Sequence, residues 1–222
     1  MAAHGKLATL EQLRRAGLVA VLHHVAPDTA WQMVDALCRG GFGAIEFTNR
    51  GDHAIEGFTM IERNARLHHP GCVVGVGSVV DAGTATTFMN AGADFVVGPA
   101  LVEEVAVTCN RRQVPYIPGC GTLSEMLRAN ELGCEVVKAF PAASLGGPDF
   151  LRAVKAPCPW LEVMPTGGVE ATSQNLRAWF DAGVFAVGLG SKLVPKDAVA
   201  GGDWGELTRL AEQAVATLTA VR

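Results

Sequence analysis

The chain has 222 residues, 49% hydrophobic and 18% charged, and its 18 Lys+Arg against 22 Asp+Glu give a formal net charge of −4. That apolar content supplies one sizeable core and excludes disorder, which needs low hydrophobicity and high charge. No basic stripe is present to neutralise a phosphate backbone, no run approaches the roughly 20 apolar residues of a membrane helix, and the first 17 residues lack the apolar centre of a signal peptide. The expectation is a cytoplasmic protein with neither nucleic-acid nor membrane partners. Its six cysteines form no C-x-x-C pair and read as reduced thiols, and no clustered ligands suggest a metal site.

Short apolar runs alternate with amphipathic stretches. The first predicted strand is Leu18–Leu22. A helix follows Pro27-Asp28, with Asp28 as its expected N-cap and Ala30, Met33, Val34 and Leu37 on one face. Strands are then predicted over Ala44–Phe47, Cys72–Val76, Asp94–Val97 and Val114–Ile117. A helix after Thr122 carries Leu123, Met126 and Leu127. Strands at Glu135–Phe140 and Leu161–Met164 follow, then a helix with Leu176, Trp179 and Phe180, then a last strand at Phe185–Leu189. The runs are Val/Ile-rich and alternate poorly, as parallel strands buried on both faces do. Eight βα units in 222 residues average about 28 residues each. The expected fold is α/β, a single (β/α)8 TIM barrel forming one domain over residues 1–222; a doubly wound open sheet is the alternative.

An internal repeat sharpens this. Four helices end in glycine followed directly by a strand, at Gly41, Gly92, Gly133 and Gly183. Glycine there suits the left-handed residue that closes a helix. By count these precede strands two, four, six and eight, and alternate barrel strands share side-chain layers. Five residues on from each glycine stand Glu46, Val97, Lys138 and Gly188. The register therefore points Glu46 and Lys138 at each other across the barrel.

Both are charged residues inside apolar strands, where Lys and Glu are rarely found unpaired. A structural ion pair is the competing reading, but such a pair contributes little over an apolar substitute. A lysine amine has a pKa of about 10.4 in water, and apolar surroundings or nearby cations lower it. The neutral amine can attack a ketone to form a Schiff base, and a carboxylate such as Glu46 can move the protons. Arg50, four residues after Glu46, can clamp a carboxylate with two hydrogen bonds, or be a surface arginine.

Two glycine-rich turns follow the last two strands, Pro165-Thr166-Gly167-Gly168-Val169 and Gly188-Leu189-Gly190-Ser191. Barrels often bind phosphate there, because glycine lets backbone N–H groups approach an anion. Lys192 assists or is solvated. Ser78 is a substrate donor or a turn serine, in equal measure. Pro99 is expected to shape the pocket wall. His23 and His24 end strand one and either face the pocket or, as the favoured reading, are surface or packing residues; His68 and His69 are read as solvated.

With these residues in view, the sequence resembles the 2-keto-3-deoxy-6-phosphogluconate (KDPG) aldolases, grouped with the 4-hydroxy-2-oxoglutarate (KHG) aldolases. The resemblance spans about Gly17 to Val194. It rests on Glu46 with Arg50, Val74-Gly-Val-Gly-Ser78, Ile117-Pro-Gly119, Val137-Lys138-Ala-Phe-Pro141, Pro165-Thr-Gly-Gly168 and Gly188-Leu-Gly-Ser191. It implies a metal-independent, cofactor-free class I aldolase on a (β/α)8 barrel, usually a homotrimer. It implies Lys138 as Schiff-base lysine and Glu46 as general acid/base. Arg50 and Ser78 fall at the pyruvate carboxylate, Thr166 beside pyruvate and Phe140 near the imine. Gly167, Gly168, Gly190 and Ser191 fall at the phosphate. The implied partners are pyruvate and a phosphorylated keto acid, cleaved reversibly to pyruvate and glyceraldehyde 3-phosphate. Ser78 stands where the family is expected to carry threonine, Asn49 where a leucine-like residue is expected, and Ala143 where glutamate is frequent. The alternatives are another 2-keto-3-deoxy or 4-hydroxy-2-keto acid, a sugar-phosphate epimerase or isomerase without imine chemistry, and a non-catalytic sugar-phosphate binding protein.

Overall fold

The computed structural model describes residues 4–23, 26–190 and 192–222. Helix α1 (Lys6–Ala16) leads into β1 (Leu18–Leu22), α2 (Pro27–Arg39), β2 (Ala44–Thr48), α3 (Ala54–His68), β3 (Val73–Gly77) and α4 (Ala82–Asn90). Then come β4 (Val96–Val97), α5 (Glu103–Arg111), β5 (Tyr116–Ile117), β6 (Gly119–Cys120), α6 (Leu123–Glu131) and β7 (Val136–Ala139). The chain ends with α7 (Pro148–Lys155), β8 (Glu162–Pro165), α8 (Ser173–Asp181), β9 (Val187–Leu189), α9 (Lys196–Ala200) and α10 (Trp204–Val221).

Every strand pairing is parallel. One hydrogen-bonded run has the order β5-β4-β3-β2-β1-β9 and the other β6-β7-β8. They meet at two places. Pro118, which has no N–H to give the ladder, separates β5, inside the predicted strand Val114–Ile117, from β6, which lies beyond it and is not among the predicted strands. A parallel bridge between Thr166 and Gly188 joins β8 to β9. The product is the expected (β/α)8 barrel, in which the fifth stave is broken by proline.

The poor alternation of the strands has its cause here, because both faces are buried. Val19, Ala44, Val73, Phe95, Val97, Val136 and Met164 fill the barrel interior. Their neighbours Ala20, Ile45, Val74, Val96, Val137 and Val163 pack outward against the helices. From α1, Leu13 joins the interior cluster, with Leu10 and Ala16 packed against it, so this helix stoppers the amino end of the barrel. Trp179 is buried in helix packing, as expected.

Gly41, Gly92, Gly133 and Gly183 all have positive φ, between 79° and 103°, which is the helix-closing conformation the repeat predicts. The expected N-cap of α2 is corrected. Ala26 occupies that position, Pro27 starts the helix, and Asp28 lies in its first turn, because proline's fixed φ suits the first helical residue. His69 is not solvated: its Nε2 lies 2.8 Å from Asp35 Oδ1 and its ring sits against Trp31.

Thr122 caps α6 with a full capping box. Its hydroxyl accepts from the Glu125 N–H, and Glu125 Oε2 accepts from the Gly121 and Thr122 N–H groups. These bonds hold the Glu125 carboxyl below its ordinary value, the Gly121 N–H contributing most. Thr122→Ala is expected to cost about 1 kcal/mol in urea unfolding at neutral pH. Because the folded-state value of Glu125 is lowered, its own contribution is present above the ordinary carboxylate value and is lost as pH falls.

Candidate active site

Lys138 is the inward residue two beyond Val136 on β7, and Glu46 the inward residue two beyond Ala44 on β2, as the two-residue period of a strand requires. Lys138 is 6% exposed and Glu46 1% exposed. Lys138 Nζ lies 3.8 Å from Glu46 Oε1 and 4.8 Å from the centre of the Phe140 ring. The register argument thus places the pair correctly. Glu46 Oε2 is buried and has no hydrogen-bond partner among the described residues. A buried carboxylate oxygen left without a partner costs on the order of 1–3 kcal/mol, a deficit that a ligand proton donor would remove.

Above this pair opens a cavity of about 830 Å³ at the carboxyl ends of the strands. Arg50, Phe140, Thr166, Gly167, Gly168 and Gly190 line it. Phe140, whose ring centre is 4.8 Å from Lys138 Nζ, connects this lining to the buried Lys138–Glu46 pair, neither of which is itself among the lining residues. Arg50 Nε donates to Ser78 Oγ at 3.2 Å, so the two residues expected at one carboxylate do meet. Ser78 has φ +63°, a strained conformation for a residue with a side chain and one that clusters at functional sites. Thr166 is 7% exposed, and its hydroxyl has no partner among the described residues. Gly167 and Gly168 both take positive φ, which folds the turn after β8 under the cavity wall.

One predicted residue, Pro99, falls elsewhere. It is exposed after β4 and its carbonyl covers Gly119 instead of lining the cavity. Ser191, like His24, lies outside the described residues. Conversely, His23, Thr29, Met33, Lys192 and Lys196 line the cavity. His23 is both exposed and cavity-lining, so the surface reading holds and the pocket-facing alternative holds with it. The available signal was position: His23 directly follows β1, as the cavity residue Thr166 directly follows β8. Lys192 is also 3.5 Å from Glu170, but both are exposed and such a pair is worth little.

Electrostatics leave the lysine without a rival nucleophile in the neighbouring strand. Cys120 on β6 borders β7. Burial pushes its thiol up to about 12, so it stays protonated at neutral pH.

Residues 10–210 match the family model for KDPG and KHG aldolases. A 2-dehydro-3-deoxy-phosphogluconate aldolase of Dickeya dadantii is 34% identical over 217 residues, covering 95% of this chain and 96% of its own. One from Pseudomonas aeruginosa is 37% identical over 184 residues, covering 82% and 80%. Among solved structures, the Legionella pneumophila KDPG aldolase with pyruvate captured as a covalent carbinolamine superposes with a TM-score of 0.82 at 27% identity, covering 93% of this chain and 97% of that one. With a buried lysine and glutamate facing each other under a glycine-walled cavity, and with matches running over nearly its whole length, this chain belongs to the KDPG/KHG aldolase family and is an aldolase, a lyase.

Proposed function

We propose that this chain cleaves 2-keto-3-deoxy-6-phosphogluconate reversibly to pyruvate and glyceraldehyde 3-phosphate through a Schiff base on Lys138. The observation that carries the reading is the Lys138 amine, almost wholly buried, held 3.8 Å from the Glu46 carboxylate and against the cavity-lining Phe140. Glu46 takes the ammonium proton, and the free amine attacks the C2 ketone. The carbinolamine loses water, with Glu46 supplying the proton, and an iminium forms. Its positive nitrogen withdraws the C3–C4 bonding pair, while Glu46, again a carboxylate, takes the C4 hydroxyl proton and the aldehyde departs. The enamine left on Lys138 is protonated at C3, and water releases pyruvate. The iminium itself is the electron sink, so the chemistry needs neither metal nor cofactor.

Arg50 and Ser78 hold the keto acid's carboxylate in this reading, Thr166 and Phe140 flank the imine, and Gly167, Gly168, Gly190 and Ser191 receive the phosphate. The same reading has one barrel domain over residues 1–222, assembled as a homotrimer in the cytoplasm. Arg50→Lys replaces a planar two-pronged donor with a point charge. It is expected to raise the KM for the keto acid by about tenfold or more while changing kcat less, read by coupling cleavage to pyruvate detection.

The deciding experiment is borohydride reduction in the presence of pyruvate, followed by peptide mass analysis. Added mass on Lys138 supports the reading; an unmodified Lys138 while pyruvate binds refutes it. A panel of 2-keto-3-deoxy and 4-hydroxy-2-keto acids, with and without phosphate, then tests the substrate. A higher kcat/KM for an unphosphorylated acid would move the assignment to that acid.

A further inference from the structure

We propose that Gly77 is a positioning residue that keeps the Glu46 carboxylate aimed at Lys138. The proposal rests on the aldolase reading for its kinetic consequence, but its steric core stands apart from it. The inward face of β3 reads Val73, Gly75, Gly77. A methyl group built on Gly75 would enter the Phe95 ring. One built on Gly77 would overlap the Glu46 carboxyl, 2.8 Å from its Cδ and 2.9 Å from its Cγ.

Backbone demand does not explain Gly77, because its φ lies outside the positive region where glycine is favoured. Glycine inside a strand is unfavourable, and it often marks a close approach by another group. Here the approaching group is the acid itself. Gly77 is also held firmly: it pairs with Thr48 of β2, and its carbonyl accepts from the Asn49 N–H at 2.8 Å. Glu46 is equally fixed, being paired with Val21 on one side and Gly75 on the other. With both backbones pinned, a larger residue at position 77 leaves the Glu46 side chain only rotation, and rotation carries Oε1 out of its 3.8 Å approach to Lys138.

The test compares wild type, Gly77→Ala, Glu46→Asp and the double variant by solvent deuterium exchange into the pyruvate methyl group. That reaction needs the imine and a placed base but no aldehyde. Gly77→Ala is expected to slow exchange by about 100-fold, since a positioned acid/base contributes roughly 10²–10⁴-fold. The shorter acid of Glu46→Asp removes the Cδ and Oε1 part of the overlap and leaves only the 2.9 Å approach to Cγ, so the double variant is expected to exchange at least about tenfold faster than Gly77→Ala, a coupling that neighbours show and distant sites do not. Exchange by Gly77→Ala within about threefold of wild type, or no rescue in the double variant, overturns the proposal.

Thermal melting separates this from failure of the imine reading and covers the case of a poorly folded Gly77→Ala. Gly77→Ala is expected to lower the melting temperature more with Glu46 present than in a Glu46→Ala background. Equal drops in the two backgrounds overturn the steric claim even if wild type neither exchanges nor labels. Unequal drops without wild-type exchange uphold the steric claim and sink the aldolase reading alone.

Discussion

Lys138→Met is expected to abolish borohydride labelling with pyruvate at position 138 and to lower cleavage by about 10⁴-fold or more, because the proposed imine forms on that amine. Methionine keeps an unbranched apolar stem in a site that already holds Phe140, so the volume change is small. The charge change is not. Glu46 is 1% exposed and would lose the cation 3.8 Å away. Breaking a buried pair by removing one partner typically costs about 3–5 kcal/mol, so the variant is also expected to melt earlier. Circular dichroism at the assay temperature separates a folded, inactive protein from an unfolded one. A folded variant retaining more than about one-hundredth of wild-type turnover would remove Lys138 from the chemistry. Labelling that persists in wild type but maps to another lysine would do the same.

Glu46→Gln is the second large effect. The amide matches the acid in shape and still fits beside Gly77, but it cannot accept or return a proton. Cleavage is expected to fall by about 10²–10⁴-fold. The amine of Lys138 remains in place, so borohydride labelling continues at a reduced rate, which distinguishes this variant from Lys138→Met. A loss below about tenfold would assign the proton transfers elsewhere, with His23, which lines the cavity, as the next group to replace.

The meeting of Glu46 and Lys138 was legible in the sequence for a geometric reason. Gly41 and Gly133 both close helices with positive φ, and five residues on from each lies the same barrel layer. A strand's two-residue period then decides which face Glu46 and Lys138 take, and parallel pairing holds them there. The turn after β8 was legible for a similar local reason, since Gly167 and Gly168 both need positive φ. What the sequence hides is assembled from separated elements. Thr29 and Met33 of α2, and Lys196 of α9, reach the same cavity only because β1 and β9 are neighbours in the closed barrel. Pro118 was visible, but not that the stave would resume beyond it, because Gly119 and Cys120 pair with β7 instead of with β4. The cap of α2 was misplaced because Asp28 and Pro27 compete for adjacent positions and proline's fixed ring decides.

The stopper formed by α1 has a consequence for turnover. On the proposed reaction, with Leu10, Leu13 and Ala16 closing one end, the keto acid and both fragments share the doorway beside Arg50 and Gly190. Departure then follows a queue. In that reading the aldehyde must clear first, while the three-carbon fragment, still bound to Lys138, goes last. In the synthetic direction the order reverses, and the enzyme must be charged with pyruvate before an aldehyde can be used.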